Sequence, residues 1–284
     1  MSRLVKPSLL SLPVELLYEV HIFARNPFLA ISCKHIHLIL KNAPTIVKVD
    51  YLLAEIPERP TFWPNEIQRV LQYPLCNRHV LERCIGHILP PDHHLDPPSD
   101  WPDLSDSEKE KVSFLFPLPK RLFRDLDRPT VRDETLVTVQ YLANLPIVYR
   151  GRFDTNGEFV GRDVIRLAPN PDLHQGYALI RAAQARCIPL IQLLLELGAN
   201  PSRRNGLAIL IAIQQRDLEL VKLLVNSEEK REEVDSKKKS KQDSSSMNSI
   251  LLDEAVKARA SDIVEWLVKE KGCVPDMKTL RAMG

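Results

Sequence analysis

The chain has 284 residues, 44% of them hydrophobic and 27% charged, the balance of an ordinary soluble globular protein. Its 39 basic residues meet 37 acidic ones for a net charge of +2, which leaves no basic stripe for nucleic acid, and no apolar run approaches the ~20 residues of a membrane span. Nine glycines against 22 prolines suit helices punctuated by rigid breaks and argue against a glycine-rich phosphate loop.

A length of this order holds one extended repeat array or two compact domains. The five cysteines, Cys33, Cys76, Cys84, Cys187 and Cys273, are odd in number and lack paired spacing. With no signal peptide in evidence, they point to a reducing compartment, cytoplasmic or nuclear.

In chain order, Ser8 to Ala24 comes first. Ser11 is an N-cap candidate and Pro13 fits a first helical turn, after which Leu16, Leu17, Val20 and Ala24 fall on one helical face. A break at Arg25-Asn-Pro27 leads into Phe28 to Ile31, and Ser32 opens a second helix with Ile36, Ile39 and Leu40 inward. Helices this short need something to pack against, because fewer than ~40 residues rarely enclose a core.

Leu12-Pro13-Val14-Glu15-Leu16-Leu17, followed by Leu29-Ala-Ile-Ser32-Cys33-Lys34-His35-Ile36, resembles the F-box, the adaptor-binding module of cullin-RING ubiquitin ligases. The resemblance covers about residues 8–45. It implies that Leu12, Pro13, Leu16, Leu17, Val20, Leu29, Ile31 and Ile36 bind a Skp-type adaptor. The segment between the two clusters is shorter than the family's pattern, and the aromatic that often closes it is missing near Ile39.

Residues 46–146 read as an irregular helical region. One helix spans Ala43 to Ile56, a second Trp63 to Tyr73 with Ile67, Val70 and Leu71 facing one way, and a third Asn77 to Ile88 with Val80, Leu81, Cys84 and Ile88 together. The proline-rich run 89–104 excludes helix and central strand. Cys84, His87, Asp92, His93 and His94 lie near it but lack the two close ligand pairs of a zinc site, so a solvated loop is expected and no metal. Ser105-Asp-Ser-Glu108 has the form of a capping box and predicts a helix ending at Phe114-Leu-Phe-Pro-Leu-Pro119. Asp133 to Asn144 is helical, with Leu136, Val139, Tyr141 and Leu142 available for packing.

After Pro146 the period changes. Ile147 to Phe153 and Glu158 to Arg162 flank Asp154-Thr-Asn-Gly157, and Asn-Gly between strand-like runs predicts a hairpin. Arg150, Arg152 and Arg162 on it read as the wet side of a ribbon.

From Gly176 a pattern is written twice and echoed once. Ala178 to Leu195 laid over Ala208 to Val225 superposes Ala182 on Ala212, Gln184 on Gln214, Arg186 on Arg216 and Leu190 on Leu220. The third copy, Leu251 to Leu267, puts Ala255 on Ala212, Arg259 on Arg216 and Val264 on Val221. Each copy is a helix with small residues in its middle, a break, and a leucine-rich second helix too apolar to stand alone. Units that cannot bury their own faces stack into a solenoid. The predicted repeat core is Ala182, Leu190, Leu193, Leu194, Ala212, Leu220, Leu223, Leu224, Ala255, Val264 and Leu267. Gly198 can take a left-handed conformation that ends the second helix, and Pro201 cannot continue it.

This stretch resembles the ankyrin repeat family through its second helices and the Gly198-Ala199-Asn200 tail. Where the family has Thr-Pro-Leu-His, the chain has Tyr177-Ala-Leu-Ile180 and Leu207-Ala-Ile-Leu210, which makes the copies divergent. The expected array runs over 147–284, with a charged insertion at 227–248 that carries one aliphatic residue and is expected to be disordered. Within it, Lys237-Lys-Lys-Ser-Lys241 has the composition of a nuclear import signal or of an ordinary exposed charge run.

No catalytic constellation is legible. Ser32, His35 and His37 are neighbours without a buried acid to orient them, so an enzyme is not expected, nor a cofactor or a small-molecule substrate. The predicted fold class is all-α: an F-box-like helical module, then an α-solenoid of ankyrin-like helix pairs, with one small β-hairpin. The resemblances imply a substrate-recognition adaptor of a cullin-RING ligase that contacts a Skp-type adaptor, a cullin and a protein substrate. The alternative is an ankyrin-type scaffold whose N-terminal helices only cap the array.

Overall fold

A computed structural model of the chain describes residues 9–54, 56, 63–88, 109–153, 155–156, 159–235 and 242–273. The proline-rich stretch 89–104, the capping-box residues Ser105 to Glu108 and the run Lys237 to Lys241 lie outside them. Contacts divide the chain into two compact units, Met1–Phe116 with Asn144–Ala168, and Pro117–Ala143 with Pro169–Gly284.

The first unit opens with a 3-10 turn (Leu9–Ser11), followed by α1 (Val14–Ala24), a second 3-10 turn (Leu29–Ile31), α2 (Lys34–Lys41), α3 (Thr45–Leu53), α4 (Trp63–Gln72) and α5 (Arg78–Ile88). Local chemistry sets the helix starts. The Cys33 thiol accepts from the Ile36 N–H at 3.5 Å, Pro44 precedes α3, and the Asn77 side chain accepts from the Val80 N–H at 3.0 Å. Pro13, not Ser11, stands at the N-cap of α1, and no side chain caps that helix.

Helix α5 packs on α3 and α4. Its buried residues Val80, Leu81, Cys84, Ile85 and Ile88 meet Ile67, Val70 and Leu71 of α4 and Val49 and Leu52 of α3 in one apolar core. The i, i+3, i+4 spacing read from the sequence is the face that packs.

The sheet of this unit has three strands, β1 (Lys109–Pro117), β2 (Val148–Phe153) and β3 (Phe159–Asn170), in the order β1-β3-β2. Strands β2 and β3 pair antiparallel from Val148 opposite Ile165 to Phe153 opposite Phe159, with Thr155 and Asn156 in the turn. The expected hairpin is therefore present, but β1 replaces the helix predicted to follow Glu108. Val112, Phe114 and Phe116 alternate with Lys111, Ser113 and Leu115, and Phe116 is buried while Leu115 is exposed. A period of two, offered a sheet edge, outweighs a capping signal in a short segment.

The second unit begins with a 3-10 turn (Lys120–Phe123) and α6 (Pro129–Ala143). It continues as helix pairs: α7 (Leu173–Gln184) with α8 (Ile188–Glu196), α9 (Arg203–Gln214) with α10 (Leu218–Asp235), and α11 (Gln242–Lys257) with α12 (Ser261–Lys269). The first helices stack, α7 on α9 and α9 on α11, while α6 meets α8 and the 3-10 turn covers α7. Buried Ala178, Ala182, Ala183, Ala208, Ala212 and Ala255 let these helices approach closely.

The expected disorder over 227–248 is corrected in part. Helix α10 runs on to Asp235 and α11 starts at Gln242. Adding residues to a helix already nucleated by a packed turn costs little, and Glu228 to Glu233 is rich in strong helix formers. Lys271 also holds this extension, donating to Asn226 Oδ1 at 2.9 Å and Glu229 Oε2 at 2.6 Å, and Arg231 donates to the Gly198 carbonyl.

Candidate functional site

Helix α1 buries only Leu17 and His21 along its length. The His21 ring stacks on Tyr51 of α3, centroids 3.9 Å apart and planes 9° from parallel, and Tyr51 meets Tyr73 edge-on. Everything else apolar on α1 is left partly or fully in solvent. Leu9, Leu10, Val14, Leu16, Phe23, Phe28, Ile31, Leu38 and Ile46 are all exposed, Phe23 at 80%, Phe28 at 70% and Ile31 at 69%. Single exposed apolar residues are ordinary, and these nine fall within 38 residues. Ile31 and Leu38 also line one shallow groove with Cys33, Lys34 and His37.

Of the predicted adaptor-binding residues, Pro13, Leu16 and Ile31 are exposed and Leu12, Val20 and Leu29 half-buried. Leu17 and Ile36 are core residues of their own unit, 2% and 4% exposed. A partner cannot reach them here, so the face predicted from periodicity is rotated: Leu17 turns inward with His21, and Leu16 outward.

In the array, Ala182, Leu190, Leu194, Ala212, Leu220, Leu224, Ala255 and Leu267 are buried, and Leu193, Leu223 and Val264 half-buried. In the third copy Ile263 holds the place of Leu190 and Leu220. Gly198 takes φ 89°, and the Ala199 N–H reaches back to the Leu194 carbonyl at 2.8 Å, closing α8 in the expected way. The loops between pairs are also bonded together. Asp172 Oδ1 accepts from the Asn200 N–H at 2.6 Å, and Arg203 lies 3.3 Å from Asp172 Oδ2.

Sequence reasoning missed one member of this unit. Arg181 of α7 donates to the carbonyls of Phe123 and Arg124, and Lys120 sits 5.7 Å from the Tyr177 ring centroid. Thr135 of α6 donates to the Leu122 carbonyl at 2.8 Å. The 3-10 turn and α6 thus form a shortened helix pair ahead of the first recognised copy. Its trace in the sequence was Ala143-Asn144 before Pro146, the Gly198-Ala199-Asn200 tail of the first copy without its glycine.

The chemistry of other singled-out residues is structural. Ser32 donates to the Leu29 carbonyl at 2.8 Å, and His37 Nδ1 lies 3.2 Å from the Ala30 carbonyl. Burial, with Cys76 close by, pushes the Cys84 thiol up to about 12, which keeps it protonated and a poor metal ligand. Among the described residues no three His, Cys, Asp or Glu side chains gather in a metal-binding group, and no helix is long and apolar enough to cross a membrane.

Residues 179–279 match the family model for ankyrin repeats, in three copies. No F-box family model matches the N-terminal residues. No curated protein and no solved structure matches the chain.

Proposed function

We propose that the chain is a substrate-recognition adaptor of a cullin-RING ubiquitin ligase, with the exposed apolar residues of its N-terminal helices seated on a Skp-type adaptor and its repeats carrying a protein substrate. The repeats themselves support a protein-interaction role. The observation that carries the adaptor reading is the set of exposed apolar side chains in the F-box-like segment, above all Val14, Leu16 and Ile31. Each would gain by leaving water, at about 25 cal/mol per Å² of apolar surface covered. The Leu12-Pro13 turn positions Val14 and Leu16 at the start of α1, while Leu17 and His21 hold that helix to α3 from the other side.

Substituting Leu16→Asp together with Ile31→Asp tests this reading. Both residues face solvent, so the charges stay hydrated in the free chain and are buried only against a partner. The variant is expected to keep its circular dichroism melt and lose co-purification with a Skp-type adaptor and a cullin by about 100-fold or more in affinity. A folded variant that still carries the adaptor sinks the proposal. An early melt in the variant would instead favour the scaffold reading, in which these helices seal a core.

A further inference from the structure

Helix α1 stands on a narrow footing. Its 11 residues follow Pro13, where no side chain caps the first turn, and stop at Arg25, in the left-handed region at φ 47°. A helix of this length is marginal in water unless it packs on something. Among its residues only Leu17 and His21 are buried, and it rests on α3. Helices α3, α4 and α5 share an apolar core of their own, so they do not depend on α1 in the same way.

His21 makes half of that footing with a group that can take up a proton. The ring is 2% exposed and lies flat on Tyr51 of α3 at 3.9 Å, with Tyr73 edge-on to Tyr51. Among the described residues neither ring nitrogen has a hydrogen-bond partner. An imidazole so placed is tolerated only when neutral, because an imidazolium has two N–H donors and a charge to satisfy. The titratable groups around it do not supply this. Besides the two phenols, half-buried Lys48 stands one turn before Tyr51 on α3, and Asp50 is exposed; on α1 itself Glu15, Glu19 and Arg25 are exposed and Tyr18 is half-buried. Burial alone lowers the His21 pKa from the ordinary 6.5, with no charge contributing. The Tyr51 face attracts an imidazolium, but too weakly to replace the lost water.

We propose that His21 is an acid-operated latch: with the ring neutral α1 lies on α3, and with the ring protonated α1 lifts away, carrying Val14 and Leu16 with it, while the α3–α5 core and the repeats stay folded. The sign follows from where the proton is better held. A released ring is hydrated and titrates near 6.5, and the docked ring titrates lower, so α1 is fully held above about pH 6.5 and given up as pH falls from there. Between pH 7.5 and pH 5.5 one such imidazole can raise the opening of α1 by at most about 10-fold. The inference concerns how α1 is held and stands whether or not an adaptor binds Leu16.

Amide exchange on the intact chain at pH 7.5 and pH 5.5, each corrected for the intrinsic rate at that pH, tests it. Opening of residues 14–24 is expected to rise roughly 3- to 10-fold at the lower pH, with α5, α7 and α9 unchanged. His21→Phe keeps a ring on Tyr51 and has no proton to take, so its α1 should open equally at both. His35→Gln with His37→Gln, at the exposed histidines of α2, should respond as the parent does. Equal protection of α1 at the two pH values in the parent overturns the proposal. So does an undiminished response in His21→Phe, or its loss in the α2 double variant, since either puts the proton elsewhere. Loosening of α5 and α9 in step with α1 would be global unfolding and overturns it as well. Should His21→Phe not fold, NMR titration of the His21 ring in the unaltered chain decides: a midpoint below about 6.5 is expected, and one at or above it overturns the latch.

Discussion

His21 is the residue on which the N-terminal helix turns. It is 2% exposed, stacked on Tyr51, and neither ring nitrogen has a hydrogen-bond partner, so burial lowers its pKa below the ordinary 6.5. A folded value below the unfolded one means the unfolded chain binds the extra proton first. Stability is therefore full above the unfolded value of about 6.5 and is lost as pH falls from there toward the lowered folded one. Urea midpoints are expected to drop between pH 7.5 and pH 5.5, and His21→Phe, which keeps the ring stack, should flatten that dependence. An equal drop in the variant would place the proton elsewhere. None of this was legible in the sequence, where a histidine on a helix reads as polar surface. Leu16 and Leu17 were equally undecidable. Periodicity draws a broad apolar stripe, but α1 touches α3 through only part of it, and the neighbour decides which leucine goes in.

Among the elements, β1 shows how two local signals compete. Phe116 is fully buried and Leu115, one residue away, is exposed, with Ser113 exposed two residues earlier, the alternation of a strand with one covered face. Phe116→Ala should cost about 3 to 5 kcal/mol, and Leu115→Ser should stay within about 0.5 kcal/mol, both read from denaturant unfolding. Similar costs at the two sites would argue against this division of the strand into a covered and an open face. The helices of α3, α4 and α5 were legible because each carries two or three turns of apolar spacing. The strand was not, because its partner β3 lies some fifty residues further on. The far end of α10 was misread for a related reason: composition reports what a segment can bury, not what it continues from. Lys271→Ala removes the hydrogen bond to Asn226 and the ion pair to Glu229 and should speed amide exchange over residues 226–235, with a loss of about 1 kcal/mol, since the ion pair is at the surface. Unchanged exchange there would mean the extension stands by its own propensity.

For the whole molecule, the repeats are the part that the sequence declared, and their energetics follow from stacking. Each pair buries its alanine-lined first helix against the next, α7 on α9 and α9 on α11, so stability is a sum of weak units and the junctions between them. Leu194 is fully buried in α8, and its carbonyl receives the Ala199 N–H that starts the loop toward α9. A cavity at that point loosens both its own pair and the junction beyond. Leu194→Ala should cost about 2 to 5 kcal/mol. Hydrogen exchange should then accelerate over residues 178–196 and also over 203–225, and fade by α12, two junctions away. Acceleration confined to 178–196 would show pairs that fold alone. Uniform acceleration through α12 would show a single cooperative block instead of a chain of neighbours.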